Sequence, residues 1–131
     1  MVAARTPAWW LYLAVALGAA LGGGARELLA GALATSALPW ATWLANVTGS
    51  FLIGLHAGLP GHSRWQQGPL PLFVSAGLCG GLTTFSLFSL EVLLRPAEQL
   101  IMTAGWVLLS LAGWLLAVAA GYRTGLTVGG H

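Results

Sequence analysis

The stretch that decides the fold is "GLCGGLTTFSLFSLE", Gly77 to Glu91. Into an otherwise apolar run it packs three glycines, four hydroxyl side chains, two phenylalanines three apart and a carboxylate. A smooth membrane helix does not carry such a load. Each glycine in a helix interior costs about 1 kcal/mol relative to alanine, and two adjacent β-branched threonines add to the disfavour. The pattern predicts a helix broken near Gly80 to Thr84, the alternative being an unbroken helix whose glycines serve packing. A break frees carbonyl and N–H groups, which in lipid must find partners. Freed carbonyls that face one another suit a hard cation such as Na⁺.

The surrounding chain sets the solvent. Of 131 residues, 57% are hydrophobic and 6% charged, with a mean hydropathy of +0.82. A soluble domain is about 25% charged, so this composition predicts an integral membrane protein, a single domain over residues 1–131. Five arginines stand against three acids and form no basic cluster, so a nucleic-acid partner is not expected. Cys79 is the only cysteine, which excludes an intrachain disulfide and reads as a buried, inert thiol.

Four apolar segments approach the roughly 20 residues a membrane-spanning helix needs. They run from about Trp9 to Ala30, Pro39 to Leu59, Pro71 to Leu94 and Gln99 to Gly121. The first is taken as a span rather than a cleavable leader, because its apolar run is of spanning length and similar segments follow it. Short connectors rich in turn residues separate the four, and Pro39, Pro71 and Pro96 stand where helices begin. Tryptophans 9, 10, 40, 43 and 65 lie near the predicted ends, as in an aromatic belt. An all-α membrane fold follows, since backbone in lipid must satisfy itself.

Four spans place both termini on one side, with Arg5, Arg64 and Arg123 there and Arg26 and Arg95 opposite. Three against two is almost no bias under the positive-inside rule. Insertion both ways up, with inverted copies pairing as an antiparallel dimer, stands beside a single weakly favoured orientation. Gly18 and Gly22, Gly54 and Gly58, and Gly77 and Gly81 are each four apart, a spacing that lets membrane helices approach closely.

Polar groups inside spans mark candidate sites because they are costly there. Arg26, next to Glu27, is either a snorkelling anchor or a fixed cation at the mouth of an anion pathway. Asn46 shares a helical face with Thr42, Gly49, Ser50 and Ile53; it is either an interhelical hydrogen bond or a two-donor group for an anion. His56 falls off that face and reads as interfacial. Phe85 and Phe88 share a face among Ser86 and Ser89, with Glu91 one turn beyond Phe88. Their electropositive ring edges can approach an anion, and the serine hydroxyls add donors. In the last span Trp106, Ser110, Gly113 and Ala117 share a face that offers an indole N–H and a hydroxyl. No nucleophile–base pattern, phosphate loop or metal-ligand spacing is present, so no enzymatic activity is expected.

Through nearly its whole length the chain resembles the fluoride channels called Fluc or CrcB. "GGGAREL" is similar to that family's arginine motif at the end of the first span, and "NVTGSFLIG" to its asparagine–glycine–serine motif in the second. "GLCGGLTTFSLFSLE" resembles its third-span signature, usually TTFSTF followed by a glutamate. The resemblance implies four transmembrane helices with the third broken near its middle, in a dual-topology antiparallel dimer with two narrow fluoride pores. It implies a passive export of fluoride that relieves toxicity. It also implies a structural Na⁺ at the dimer interface, held by the backbone carbonyls of Gly80 and Thr83. Asn46, Phe85 and Phe88 become pore residues, Ser86, Trp106, Ser110 and Glu91 fall on or near a polar track, and Arg26 becomes the vestibule arginine. The partner is a second, inverted copy or a paralogue, with lipid around both. Two positions depart from the family: Leu87 stands where threonine is usual, and Trp106 where tyrosine is common. The rival class is a small proton-coupled multidrug exporter, also four-helix and dual-topology, whose required carboxylate falls on Glu91 alone. A non-transporting assembly subunit is the third reading.

Overall fold

The computed structural model describes residues 8–35 and 38–129, and every regular element among them is helical. Helix α1, Ala8–Ala32, is built mainly from alanine, leucine and glycine. Helix α2, Trp40–Gly58, follows Pro39 and stops at Leu59, which is extended with ψ 143°. Proline tolerates a helix start because its missing N–H would be unpaired there anyway. At the other end Pro60 pushes the residue before it out of the helical region.

The connection after α2 is tied down. Ser63 Oγ accepts the Trp65 N–H at 3.2 Å and closes a one-turn helix, Arg64–Gln66. The side-chain amides of Gln66 and Gln67 donate to the carbonyls of His56 and His62. Gly68 takes φ 63°, a left-handed conformation that only glycine adopts without cost. This loop folds back over the end of α2, where His56 is buried within the chain.

The third apolar segment is helical over residues 70–82 (α3), with a wider π-type stretch at Phe73–Cys79. Thr83 and Thr84 are both extended (φ/ψ −80°/149° and −152°/120°). A second short helix, α4, then runs over Phe85–Leu93, and the Thr84 hydroxyl caps it by accepting the Leu87 N–H at 3.2 Å. A turn at Ala97–Gln99 leads into α5, Leu100–Gly129. Helix α5 continues eight residues beyond Gly121, where the apolar segment was expected to end.

Two seams organise these helices. Along the first, α1 lies against α3: a methyl on Gly18 would overlap the Phe73 carbonyl oxygen, one on Gly22 that of Leu78, and one on Gly81 that of Ala19. Along the second, α2 lies against α5, with Gly54 and Gly58 facing Val118 and Tyr122, and Gly121 and Gly125 facing Phe51 and Leu55. These glycines let backbones meet directly, the small-residue packing used where lipid removes any hydrophobic drive between helices. The same contacts explain the length of α5, since packing against α2 outweighs the poor helix propensity of its glycines. Helix α2 also touches α1 and α3, whereas α4 makes few contacts with the rest of the chain.

Three stretches are long and apolar enough to cross a membrane: Trp9–Ala32, Leu70–Leu93 taken through the interruption, and Ala97–Val128. Their outer faces are apolar and bare, with Leu93 79% and Ile101 90% exposed. A soluble protein avoids apolar surface on this scale. Arg5, one of the five arginines behind the charge balance, lies outside the described residues.

Candidate functional site

The interruption between α3 and α4 is held by α2. Asn46, 4% exposed, donates from Nδ2 to the Thr84 carbonyl at 3.0 Å, and its Oδ1 accepts the Thr84 N–H at 2.7 Å. The side-chain amide therefore pairs with Thr84 as a neighbouring peptide would. Asn46 thus serves as an interhelical hydrogen bond, and one of its two N–H donors is left over.

That pairing has a consequence for the carbonyls nearby. In a continuous helix the Gly80 carbonyl would receive the Thr84 N–H, but Asn46 takes it. The Thr83 carbonyl would receive the Leu87 N–H, but the Thr84 hydroxyl takes that one. Gly80 and Thr83 are thereby two of the four residues, 80 to 83, whose carbonyls lose their usual helical donors at the break. The Thr83 hydroxyl turns back to the Cys79 carbonyl at 2.9 Å, and its methyl occupies the space left by the missing side chain of Gly49. On the other face of α3, Arg26 Nη1 donates to the Gly81 carbonyl at 3.3 Å, while Nη2 lies 3.7 Å from Glu27 Oε1. The guanidinium, only 28% exposed, is thus held against the last turn of α3.

A cavity of about 310 Å³ opens beside this junction, lined by Asn46, Gly80, Thr83, Thr84, Phe85 and Trp114 among others. Phe85 is 66% exposed and Phe88 is 5% exposed, their ring centroids 5.9 Å apart and tilted by 48°. Phe88 in turn meets Trp114 edge to face at 4.8 Å. Asn46, Gly80, Thr83 and Phe85 therefore line one cavity, and Phe88 adjoins it through its ring contacts with Phe85 and Trp114.

Other sequence-predicted residues lie elsewhere. Glu91 accepts the Thr42 hydroxyl at Oε1 (2.5 Å), while its Oε2 is buried without a partner. Both residues line a second recess with Trp40 and Arg95. Trp106 (4% exposed) and Ser110 (0%) are buried on α5, and neither polar atom has a partner. Ser86 is exposed, its Oγ 3.3 Å from the Thr84 hydroxyl, and does not join Ser110. Sequence reasoning missed Trp43 and Trp114, whose indole nitrogens are buried and unpartnered as well. Trp114 was legible as the next position, four beyond Ser110; Trp43 carried no such signal, since a tryptophan near a span end reads first as an interface anchor.

The comparisons with known proteins agree with one another. Residues 13–122 match the family described as CrcB-like protein, Camphor Resistance (CrcB). The "Fluoride-specific ion channel FluC" of Methylocella silvestris is 46% identical over 105 residues, covering 76% of this chain and 80% of that protein. The protein of the same name from Rhodospirillum centenum is 50% identical over 88 residues, covering 64% and 69% respectively. "Fluoride-specific ion channel FluC 1" of Nitrobacter hamburgensis is 47% identical over 87 residues, covering 63% and 68%. Named ion channels as relatives, set beside three helices of membrane-crossing length, mark a multi-pass membrane protein. With most of its length matched by one family, this chain belongs to the CrcB-like proteins.

Proposed function

We propose that this chain forms a fluoride-selective channel of the cell membrane, passing fluoride passively out of the cytoplasm. The observation that carries the proposal is the junction at Asn46, Thr83, Thr84, Phe85 and Phe88, in a chain whose relatives are named for fluoride conduction. Fluoride is small and holds its water tightly, so a dry passage must replace that shell with closely spaced donors. The spare N–H of Asn46, the hydroxyls of Ser86 and Ser110, the Trp106 indole and the ring edges of Phe85 and Phe88 are suited to this. Glycine-lined seams leave little room for a larger halide, and neutral donors bind weakly enough to release the ion. Arg26 gathers anions toward the entrance, and Glu91 with Thr42 lies along the polar route.

The complete unit we propose is a dual-topology antiparallel dimer with two pores, in which α2 also crosses the membrane as the fourth span. One chain alone leaves α4 nearly unpacked, with Phe85 and Leu93 bare, and an inverted copy would cover that face. The carbonyls of Gly80 and Thr83, deprived of helical donors, fit a buried Na⁺ at the dimer centre. Bound there, the cation would satisfy them electrostatically and hold the two copies together. The exporter alternative fares less well: its carboxylate must be Glu91, half of which is engaged by Thr42, and the relatives described above are channels by name. The deciding measurement is fluoride efflux from liposomes containing the purified protein, read with a fluoride electrode against chloride efflux. Rapid fluoride loss with retained chloride supports the proposal; equal leakage of both halides, or none of either, ends it.

A further inference from the structure

Among the described residues, five buried side-chain atoms of α2 and α5 lack any hydrogen-bond partner: Trp43 Nε1, Thr103 Oγ1, Trp106 Nε1, Ser110 Oγ and Trp114 Nε1. An unpaired donor in an apolar interior is costly relative to water, and native proteins leave few. Three indoles orphaned within one pair of helices need an explanation. Their placement supplies one. Thr103, Trp106, Ser110 and Trp114 recur at offsets of three, four and four, so they line one face of α5 over about 16 Å. Trp106 is 4% exposed, Ser110 0% and Thr103 9%. Trp43 joins them from α2 because Gly113 has no side chain: a Cβ there would lie 3.1 Å from the indole Cζ2 of Trp43. Aromatic contacts continue the file at both ends. Trp106 packs edge-on to Trp40 at 5.0 Å and Trp40 to Trp43 at 5.7 Å, while Trp114 packs edge-on to Phe88 at 4.8 Å.

An indole N–H donates and cannot accept. The indole N–H edges of such a file have no lone pair for a cation or a water proton, and suit a species that only accepts. We propose that the indole N–H groups of Trp43 and Trp114 donate hydrogen bonds to the permeating fluoride, extending the file of Trp106 and Ser110 toward Phe88. The inference rests on the fluoride-channel reading and adds to it: the lane in this chain is built largely from tryptophan, whose donors do not titrate.

The test uses the whole protein in a state whose fluoride flux has been measured. Tryptophan is labelled with ¹⁵N at the indole nitrogen, and the seven indole resonances are assigned from single Trp→Phe replacements. Sodium fluoride is then titrated against sodium chloride at constant ionic strength. The expected result is a saturable downfield shift of the Trp43, Trp106 and Trp114 indole protons with fluoride and not with chloride. The exposed indoles of Trp9, Trp10 and Trp65 should stay in place. Active protein in which the Trp43 and Trp114 resonances ignore fluoride overturns the inference alone. Protein that passes no fluoride overturns the channel reading, and the inference with it.

Discussion

At the scale of single residues, the amide of Asn46 does the most. It closes the interruption on both sides, to the Thr84 carbonyl and the Thr84 N–H. Asn46→Ala leaves the Thr84 N–H unpaired, at a cost of about 1–3 kcal/mol, while the Thr84 carbonyl, at the N-cap of α4, still accepts the first bond of that helix. The expected outcome is a clear drop in the thermal unfolding midpoint of the detergent-solubilised protein together with lost fluoride flux. An unchanged midpoint would mean that Thr84 finds other partners. The phenylalanines divide differently, one buried and one bare. Phe85→Ile and Phe88→Ile keep apolar bulk but remove the polarised ring edge. Each should slow fluoride efflux at least tenfold, about 1.4 kcal/mol in barrier, while the protein still elutes as a folded species. Phe51, which lines a separate groove between α2 and the following loop, is the control whose replacement by Ile should leave flux intact.

At the scale of helices, the seams were readable in the sequence because four-residue glycine spacing has one dominant use in a membrane. Gly18, Gly22, Gly77 and Gly81 meet across α1 and α3, and Gly54 and Gly58 meet α5. Gly22→Leu and Gly121→Leu should each destabilise by roughly 1–3 kcal/mol through overpacking. Gly24→Leu and Gly105→Leu, which face open space, should unfold like the parent in the same assay. The interruption at Thr83 and Thr84 also has a local cause, in glycine followed by paired threonines capping the next helix. Less legible was anything set by contact between distant residues. Nothing local in Thr42 and Glu91 announces that they bond 49 positions apart, nor that Arg26 turns to the Gly81 carbonyl. The end of α5 was hidden for the same reason, since Gly121 and Gly125 look like helix breakers until α2 lies against them.

At the scale of the whole molecule, the near-even charge balance bears on how copies insert. Adding arginines to the 59–69 loop, as in Gly61→Arg with His62→Arg, should bias all copies one way. The opposite bias follows from Thr35→Arg with Ala97→Arg. If inverted copies are needed, either variant alone should give little fluoride efflux and the two expressed together should restore it. Full flux from one biased variant would remove the antiparallel assembly. Within one copy, the bonds across the interruption have a mechanical meaning. A break in a helix is ordinarily a joint about which its halves swing. Here the joint is riveted at Thr84 to a third helix by two part-buried bonds, so a swing of α4 turns about a fixed point and cannot slide along α2 without tearing them.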